Sequence, residues 1–559
     1  MKSLFGNGNS VLKKYSLPFL LSMLIPTLGM SESARSAERI YASYSALELS
    51  IPVTAMEKFA QTGKIEQELA VYRQYLKPEQ IKELHRVLTS PVKLHPVAVS
   101  QFLYTQQGEL LLRRLGDVIK TRSRQPKPGF YALRSALILA SQEPGGLTLL
   151  NVLRKYPTGS IHIDLARTLG IASELEKMVR ETNRAIATVS QKSEIEAANI
   201  PFSQNNFQLQ NLRRPGKFKW QKIKSRKLLD FSRKRLVLTD VYLPQSKTKA
   251  SVIVISHGLG SDSSNFRYLA SHLASHGFAV VVPNHPGSNS KKLQLLLDGR
   301  TGEIIQSNEF YDRPLDIKFV LDRLESDPSL KNRLNLQQVG VFGQSLGGYT
   351  ALALAGAKLD YNRIQKDCNS QAVNNTWNLS VLLQCGALKV ERKNREKDLR
   401  DSRVKAVIAV NPITSTVFCE SGLSQVQIPV MVVASSDDTV APALYEQIQP
   451  FSWIPTSQKY LALLSGGTHF STIGNGSSTS EAVELPSQLI GDNPKQARSY
   501  MKSLSMPFFG TYVVGSSQYK QYLNAAYAKV LSRQSIGLSL IQSLTPNDLA
   551  QYKTVGSRE

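Results

Sequence analysis

A chain of 559 residues is too long for a single compact core, so we expect two or more folded units. Hydrophobic residues make up 42% of the chain and charged residues 20%, ordinary values for a globular protein that argue against disorder over most of its length. The net charge of +25 favours anionic partners such as lipid headgroups. No recognised nucleic-acid module accompanies the charge, so we expect no nucleic-acid partner.

The first 37 residues have the layout of an export signal. Lysines precede a short apolar run over 17–25, and small residues follow it at Ser33, Ala34, Ser36 and Ala37. Because the run is short and contains proline, a permanent transmembrane helix is disfavoured, and an uncleaved anchor is the alternative. We therefore expect residues 1–37 to be a signal peptide, and the protein to be exported and periplasmic, secreted or membrane-associated.

Residues 38–170 predict a small all-α N-terminal domain. Thr54 and Glu57 have the spacing of a capping box, and Gly63 ends the helix that they begin. Pro78 opens a run of helical periodicity, and glycine or proline separates the further helices predicted over 97–105, 108–121, 130–142 and 147–155. The histidines of this region stand alone, so we expect structural roles for His85, His95 and His162.

Residues 171–215 predict a helix over 171–195, followed by a linker rich in Asn, Gln and Pro. The densest basic run of the chain, 213–235, starts at the end of this linker and contains one acid, Asp230. Its basic residues are Arg213, Arg214, Lys217, Lys219, Lys222, Lys224, Arg226, Lys227, Arg233, Lys234 and Arg235. We interpret this run either as a solvated surface around two edge strands or as an electrostatic contact with an anionic membrane surface.

From residue 216 to 559, predicted strands alternate with predicted helices. Several strands are continuous apolar runs, as expected for strands buried on both faces of a parallel sheet. The strand candidates are Leu236–Tyr242, Ser251–Ser256, Phe278–Pro283, Gln338–Phe342, Val404–Val410, Pro429–Ala434 and Lys459–Leu463, with helices between them that include 264–276, 313–325 and 346–356. The alternation predicts an α/β domain with a doubly wound, mostly parallel sheet, and the tail 495–533 predicts helices that pack on it.

The segment Gly343-Gln344-Ser345-Leu346-Gly347 places a G-x-S-x-G motif between a predicted strand and a predicted helix. In such an elbow the serine backbone is strained, small residues on either side relieve crowding, and the turn raises the hydroxyl above the sheet. The N-terminus of the helix then points at the oxyanion that forms in acyl transfer. The sequence therefore predicts Ser345 as a nucleophile.

A serine nucleophile needs a base, and at such elbows the partners follow in the order Ser, Asp, His. His469 is the one histidine after Ser345 and stands on a glycine-rich loop after a predicted strand, so we expect it to be the base. Two neighbouring aspartates follow the preceding strand. We favour Asp438, because its spacing to Pro442 matches the usual acid loop, and keep Asp437 as the alternative.

Two backbone N–H groups should stabilise the oxyanion. One belongs to Leu346, directly after the nucleophile. We assign the other to Leu259, in the loop after the apolar strand 251–256. We expect His257, in the same loop, to shape the loop rather than to act as a second base.

Together these segments resemble the α/β-hydrolase superfamily over about 216–475. Within it, His285-Pro286-Gly287-Ser288 and Arg313-Pro314-Leu315-Asp316 are similar to the platelet-activating-factor acetylhydrolase and dienelactone hydrolase branch. The acid loop is similar to that of bacterial cutinases and polyester hydrolases. The order of export signal, helical unit and hydrolase-like domain resembles cyanobacterial hydrolases that carry an N-terminal domain of unknown function.

The resemblance implies an α/β-hydrolase fold, carboxylester substrates and no cofactor. Two residues qualify it. Gln344 stands where His or Trp is common in the family, which bears on the lining of the pocket. Dienelactone hydrolases use a cysteine nucleophile, so Ser345 argues against that activity.

A long insertion, 357–402, separates the elbow helix from the next predicted strand. It contains Cys368 and Cys385, which can form a disulfide after export, whereas Cys419 is left as a free thiol. With so few cysteines and no Cys/His cluster, we expect no structural zinc site. We interpret the insertion either as a lid over the site or as a plain surface excursion.

The sequence thus predicts a serine hydrolase that cleaves carboxylic esters of lipid or other apolar type, through Ser345, His469 and Asp438, without cofactor or metal. Two alternatives stay open. One is a thioesterase or peptidase with the same three residues, and the other is a non-catalytic binding protein with a hydrolase-like domain.

Overall fold

The computed structural model describes residues 36–44, 47–65, 67–73, 78–92, 95–121, 127–200, 212–476 and 493–550. The predicted signal peptide lies outside these ranges apart from its last two residues, and so do residues 201–211 of the predicted linker. Within the described ranges, no helix is both long and apolar enough to span a bilayer.

The first of two compact units comprises the described residues up to Ser100 together with Leu111–Leu169. Its strands are β1 (Arg39–Tyr44), β2 (Leu47–Pro52), β3 (Ile119–Thr121), β4 (Lys127–Pro128) and β5 (Ser160–Asp164). They form one sheet in the order β2-β1-β5-β3-β4. β1 and β5 are parallel, and the other neighbours are antiparallel.

The prediction of an all-α N-terminal domain is therefore wrong, although each predicted helix is present. The helices of this region are α1 (Val53–Thr62), α2 (Ala70–Arg73), α3 (Pro78–Thr89), α4 (Pro96–Leu103), α5 (Gln106–Val118), α6 (Phe130–Ser141) and α7 (Leu149–Arg154). Local sequence patterns do not predict these strands, because the strands are short and because β1 pairs with a strand far along the chain. Arg39 of β1 lies beside Ser160 of β5. The segment 119–121, read as the end of a helix, is strand β3.

The boundaries of α1 test two further predictions. The capping box is wrong, because α1 begins at Val53, before Thr54, with Pro52 at its N-cap and no side-chain cap. The stop at Gly63 is confirmed. This glycine has a φ of 68° and its N–H donates to the carbonyl of Phe59, a left-handed conformation that favours glycine.

The second compact unit comprises Gln101–Leu110 and the described residues from Gly170 onward. Its strands are β6 (Trp220–Asp230), β7 (Arg235–Pro244), β8 (Ala250–Ser256), β9 (Ala279–Asn284), β10 (Leu334–Gln344), β11 (Val404–Val410), β12 (Val430–Ser435), β13 (Lys459–Ser465) and β14 (Gly537–Ile541). They form a sheet in the order β14-β13-β12-β11-β10-β8-β9-β7-β6. The six strands from β13 to β9 are parallel, and antiparallel strands stand at both ends.

Helices cover this sheet on both faces. They are α8 (Leu165–Asn199), which begins in the first unit, α9 (Arg267–Ser275), α10 (Ser290–Leu297), α11 (Glu309–Glu325), α12 (Leu346–Leu354), α13 (Tyr361–Asp367), α14 (Ser370–Asn375), α15 (Leu379–Gln384), α16 (Cys419–Leu423), α17 (Gln449–Trp453), α18 (Pro494–Tyr512), α19 (Ala525–Leu531) and α20 (Pro546–Ala550). The helices predicted over 171–195 and in the tail 495–533 correspond to α8, α18 and α19.

Two hydrophobic clusters, one on each face, explain the continuous apolar runs. In β8, Val252 and Val254 belong to one cluster, and Ile253 and Ile255 belong to the other. Since successive side chains of a strand point to opposite faces, a strand buried on both sides needs apolar residues at every position. All seven predicted strands are present, which confirms the mostly parallel α/β sheet.

Candidate active site

Ser345 stands at the sharp turn between β10 and α12. Its backbone has a φ of 56° and a ψ of −119°, an uncommon conformation for a residue other than glycine. The flanking glycines permit this turn, because a Cβ on Gly343 would lie 1.9 Å from the carbonyl oxygen of Gly347. The N–H of Ser345 donates to the carbonyl of Val410 on the neighbouring strand, at 2.8 Å. Strand, turn and helix thus fix the position of the hydroxyl.

His469 lies on the loop after β13 and reaches this hydroxyl. The distance from its Nε2 to Ser345 Oγ is 2.9 Å, and the imidazole is almost fully buried. The loop turns at Gly466, whose φ is 84°. Since β10 and β13 are parallel strands of one sheet, residues that follow their carboxyl ends meet at the same edge.

Asp438 completes a chain of hydrogen bonds. Its Oδ2 lies 2.6 Å from Nδ1 of His469, and its Oδ1 accepts the backbone N–H groups of Val440 and Ala441. Asp437 is exposed, and its carboxylate accepts the hydroxyl of Ser436 instead. The structure therefore brings together Asp438, His469 and Ser345, and leaves Asp437 outside this arrangement.

The two backbone N–H groups assigned to the oxyanion are both at this edge. Leu346 is the first residue of α12, so its N–H has no acceptor within the helix. Within the described part of the chain, the N–H of Leu259 makes no hydrogen bond to another protein group. Unpaired donors beside an elbow serine can stabilise negative charge that develops on a bound carbonyl oxygen.

Gln344 holds two parts of the site that the sequence analysis did not connect. Its amide donates to the carbonyl of His469 at 3.1 Å, and a Cβ on Gly258 would lie 2.3 Å from its Oε1. The side chain is almost fully buried, so Gln344 holds the backbone of His469 and packs against Gly258 rather than lining an open pocket. Asn411, after β11, also donates to the carbonyl of His469, at 3.3 Å.

A second Ser–His–Asp chain lies beside the first and was missed by the sequence analysis. The hydroxyl of Ser256 is 3.0 Å from Nε2 of His285, and Nδ1 of His285 is 3.0 Å from Oδ2 of Asp316. All three residues are fully buried. The tetrapeptides 285–288 and 313–316 are in contact here. The sequence analysis used them only as evidence of a family resemblance, and they were its one indication of this second chain.

His257 links this buried chain to the Leu259 loop. Its Nε2 accepts the N–H of His285 at 3.0 Å, and its Nδ1 lies 2.7 Å from the carbonyl of Gly258. Burial, reinforced by the charge of Arg313, lowers the pKa of His257 well below its ordinary value. This geometry agrees with the prediction that His257 shapes the loop.

A buried ion-pair network surrounds Asp316. Arg235 donates to both oxygens of Asp316, at 2.9 and 2.7 Å, and also to Glu309; Arg233 adds a further bond to Asp316 at 2.8 Å. Burial alone would raise the pKa of Asp316, but its hydrogen bond with His285 and the guanidinium of Arg235 hold it well below its usual range. Burial raises the pKa of Glu309 to about 7.

The network corrects one interpretation of the basic run 213–235. The run does lie on two strands at one end of the sheet, β6 and β7, but Arg235 is buried and Arg233 is largely so. The solvated-surface interpretation is wrong for these two arginines, because four acids of the same unit neutralise them: Asp230, Glu309, Asp312 and Asp316.

The insertion 357–402 is fastened to the same unit. Cys368 and Cys385 form a disulfide with a Cα–Cα distance of 5.5 Å, and Cys419 is free. Asn378 and Gln384 donate to the buried carboxylate of Glu446, at 2.5 and 3.1 Å. The interpretation of this segment as a lid stays a prediction.

Comparisons with known proteins agree with this geometry. Residues 251–379 match the family described as "alpha/beta hydrolase fold", which includes the elbow. The chain carries an alpha/beta hydrolase domain. Residues 36–164 match a second family, described as "Alpha/beta hydrolase of unknown function (DUF1400)".

The chain is also similar to two cutinases. It is 21% identical over 290 residues to Cutinase 2 of Thermobifida cellulosilytica, which covers 51% of this chain and 76% of the cutinase. It is equally similar to Cutinase cut1 of Thermobifida fusca, of which the match covers 62%. These distant relatives and the hydrolase domain support an ester hydrolase.

Proposed function

We propose that this protein is a serine hydrolase that cleaves carboxylic esters, with Ser345 as nucleophile, His469 as general base and acid, and Asp438 as the group that orients His469. The observation that carries the proposal is the continuous chain of hydrogen bonds at the elbow, 2.6 Å from acid to base and 2.9 Å from base to hydroxyl. This arrangement is what activation of a serine hydroxyl at neutral pH requires.

In the first half of the reaction, Ser345 Oγ attacks the ester carbonyl carbon while its proton moves to Nε2 of His469. Asp438 accepts a hydrogen bond from Nδ1 and stabilises the imidazolium that results. The N–H groups of Leu259 and Leu346 stabilise the negative charge on the former carbonyl oxygen. Collapse of this intermediate breaks the bond to the alcohol, which leaves with the proton from His469.

In the second half, water replaces the alcohol. His469 takes a proton from the water as its oxygen attacks the acyl-enzyme, and returns it to Ser345 Oγ when the acid is released. The carboxylate of Asp438 is suited to its role because two backbone N–H groups hold one of its oxygens and leave the other to His469.

We further propose that the substrate is a lipid or another apolar ester and that the protein is exported. The two relatives named as cutinases and the layout of residues 1–37 support this. Placement in the platelet-activating-factor acetylhydrolase branch is supported by the tetrapeptides 285–288 and 313–316, which lie in contact.

Labelling of the full-length protein by a fluorophosphonate, with mass-spectrometric mapping of the adduct, tests the nucleophile. We expect the adduct on Ser345 and turnover of p-nitrophenyl esters that Ser345→Ala lacks. An unlabelled protein that hydrolyses neither short-chain nor long-chain esters would refute the proposal. A matched panel of ester, thioester and peptide substrates separates the esterase from its two enzymatic alternatives.

A further inference from the structure

The end of the β6–β7 hairpin exposes an unusual set of apolar side chains. Leu229 and Leu236 are direct cross-strand partners, and so are Lys227 and Leu238, so all four side chains share one face. Phe231 and Lys234 occupy the turn between the strands. The exposed fractions are 81% for Phe231, 43% for Leu229, 45% for Leu236 and 39% for Leu238. We call these six residues the hairpin patch.

Apolar and basic residues are combined in this patch. Both lysines are exposed, and among the described residues neither Lys227 nor Lys234 has an acid within ion-pair distance. Contiguous exposed apolar side chains on a soluble domain commonly mark a contact surface. Lysines around an aromatic tip complement a surface that offers an apolar interior beneath negative charge, which is the chemistry of an anionic lipid layer.

The patch is held rigidly. The carboxylate of Asp230 accepts the backbone N–H groups of Ser232 and Arg233 and thereby closes the turn. Arg233 and Arg235 then fasten the base of the hairpin to Asp316 on α11. The exposed position of Phe231 is therefore set by buried ion pairs rather than by a loose loop.

The patch also lies at the catalytic edge of the sheet. β7 is antiparallel to β9, with Leu238 beside Asn284, so the start of β7 lies next to the carboxyl end of β9. β9, β8 and β10 are parallel, which puts the turn of the hairpin at the same edge as Ser345. β7 is three strands from β10, a lateral distance of about 14 Å.

We propose that the hairpin patch docks this edge of the protein onto an anionic lipid surface, with Phe231 inserted among the acyl chains and the two lysines at the level of the phosphates. The inference deepens the proposed ester hydrolysis and rests on it for its substrate, which is then an ester presented in a lipid layer. Docking at this edge turns the elbow serine towards the surface.

Cosedimentation of the full-length protein with vesicles tests the docking. Ether-linked phosphatidylcholine, with and without ether-linked phosphatidylglycerol, offers no carboxylic ester to cleave, so binding is measured apart from turnover. We expect binding to the anionic vesicles and a loss of roughly tenfold for Phe231→Ser. Tyr131→Ser, at an equally exposed aromatic residue of the first unit, is the matched control and should bind like the wild type.

The double variant Lys227→Gln and Lys234→Gln tests the contribution of charge to docking. We expect weaker binding to phosphatidylglycerol vesicles at low salt, and a difference that disappears at high salt. Lys247→Gln combined with Lys249→Gln removes the same charge from exposed positions before β8, at the opposite edge, and should have no effect.

Three outcomes would overturn the docking proposal: a wild-type protein that ignores anionic vesicles, a Phe231→Ser protein that binds as well as the wild type, or hairpin variants that alter self-association without altering vesicle binding. The last result would assign the patch to an interface between copies of the chain. Since none of these readouts requires turnover, failure of docking and failure of ester hydrolysis are separately visible.

Discussion

Two Ser–His–Asp chains lie at the same edge of one sheet, with the same residue types and nearly the same distances. In the elbow chain, His469 is 2.9 Å from Ser345 and 2.6 Å from Asp438; in the buried chain, both corresponding distances from His285 are 3.0 Å. Distances alone therefore do not separate a proposed catalytic site from a structural one. The surroundings of the three residues do.

The serine and the acid differ most between the two chains. Ser345 stands at a strained turn with free N–H donors beside it, whereas Ser256 is fully buried and also accepts from Arg313. One carboxylate oxygen of Asp438 is hydrogen-bonded to His469, whereas the carboxylate of Asp316 also forms ion pairs with two guanidinium groups. The buried chain is thus enclosed by the fold and by ion pairs, and the elbow chain is the one that has the unpaired donors required by the proposed hydrolysis.

The two chains should differ most when the serine of each is removed. We expect Ser345→Ala to lower kcat for a soluble ester roughly 10⁶-fold with an unchanged unfolding midpoint. Ser256→Ala should leave turnover nearly intact but cost about 1–3 kcal/mol of stability, because Nε2 of His285 loses its buried partner. Esterase kinetics and urea unfolding measure both. A fluorophosphonate adduct on Ser256 would reverse the assignment.

The second largest difference between the two chains should appear when the acid of each is neutralised. Asp438→Asn is expected to reduce kcat by roughly 10³- to 10⁴-fold through loss of the correct imidazole tautomer, while the protein stays folded. Asp316→Asn removes the anion shared by Arg233 and Arg235 and should cost about 3–5 kcal/mol of stability. Thermal denaturation and esterase kinetics of both variants measure the two losses. Equal stability losses in the two variants would contradict the distinction.

Gln344 offers a smaller and more specific test. Gln344→Met keeps the volume of the side chain but removes the donor to the carbonyl of His469, so we expect kcat to fall roughly tenfold with little change in KM. Gln447→Met is the control, since this buried glutamine donates to the carbonyl of Pro412 instead. If both variants lose stability alike and only Gln344→Met loses kcat, Gln344 positions the base. If the two variants have equal kcat and KM, Gln344 contributes only to packing.

The sequence predicts the elbow chain well because each of its members follows a strong local signal. Ser345 lies in a glycine-flanked turn, and His469 and Asp438 follow apolar strands whose carboxyl ends must share an edge. The buried chain has no such signal. Ser256 is the last residue of a strand, and Asp316 is on a helix, so only the folded sheet brings them to His285.

The parts of the fold that the sequence analysis missed include strands whose partners are distant in the chain. The sheet of the first unit depends on β1 meeting β5 across the whole unit. β14 is a short antiparallel strand at one end of the large sheet, and its partner β13 lies far earlier in the chain. Pairing of this kind is decided by tertiary contacts rather than by local periodicity.

A further test is a pH dependence of stability that belongs to the buried chain. Burial, with the neighbouring charge of Arg313, lowers the pKa of His285 to about 3, below the ordinary value near 6.5. Between these values the unfolded chain binds a proton that the folded imidazole does not bind. Stability from this group is therefore complete above about pH 6.5 and falls on acidification, by at most about 1.4 kcal/mol per pH unit. Urea unfolding of wild type should weaken more steeply from pH 6.5 to 5 than that of His285→Asn, which retains a donor to Asp316. Parallel slopes would mean that His285 takes up a proton in the folded state, which would contradict its assignment to a buried structural chain.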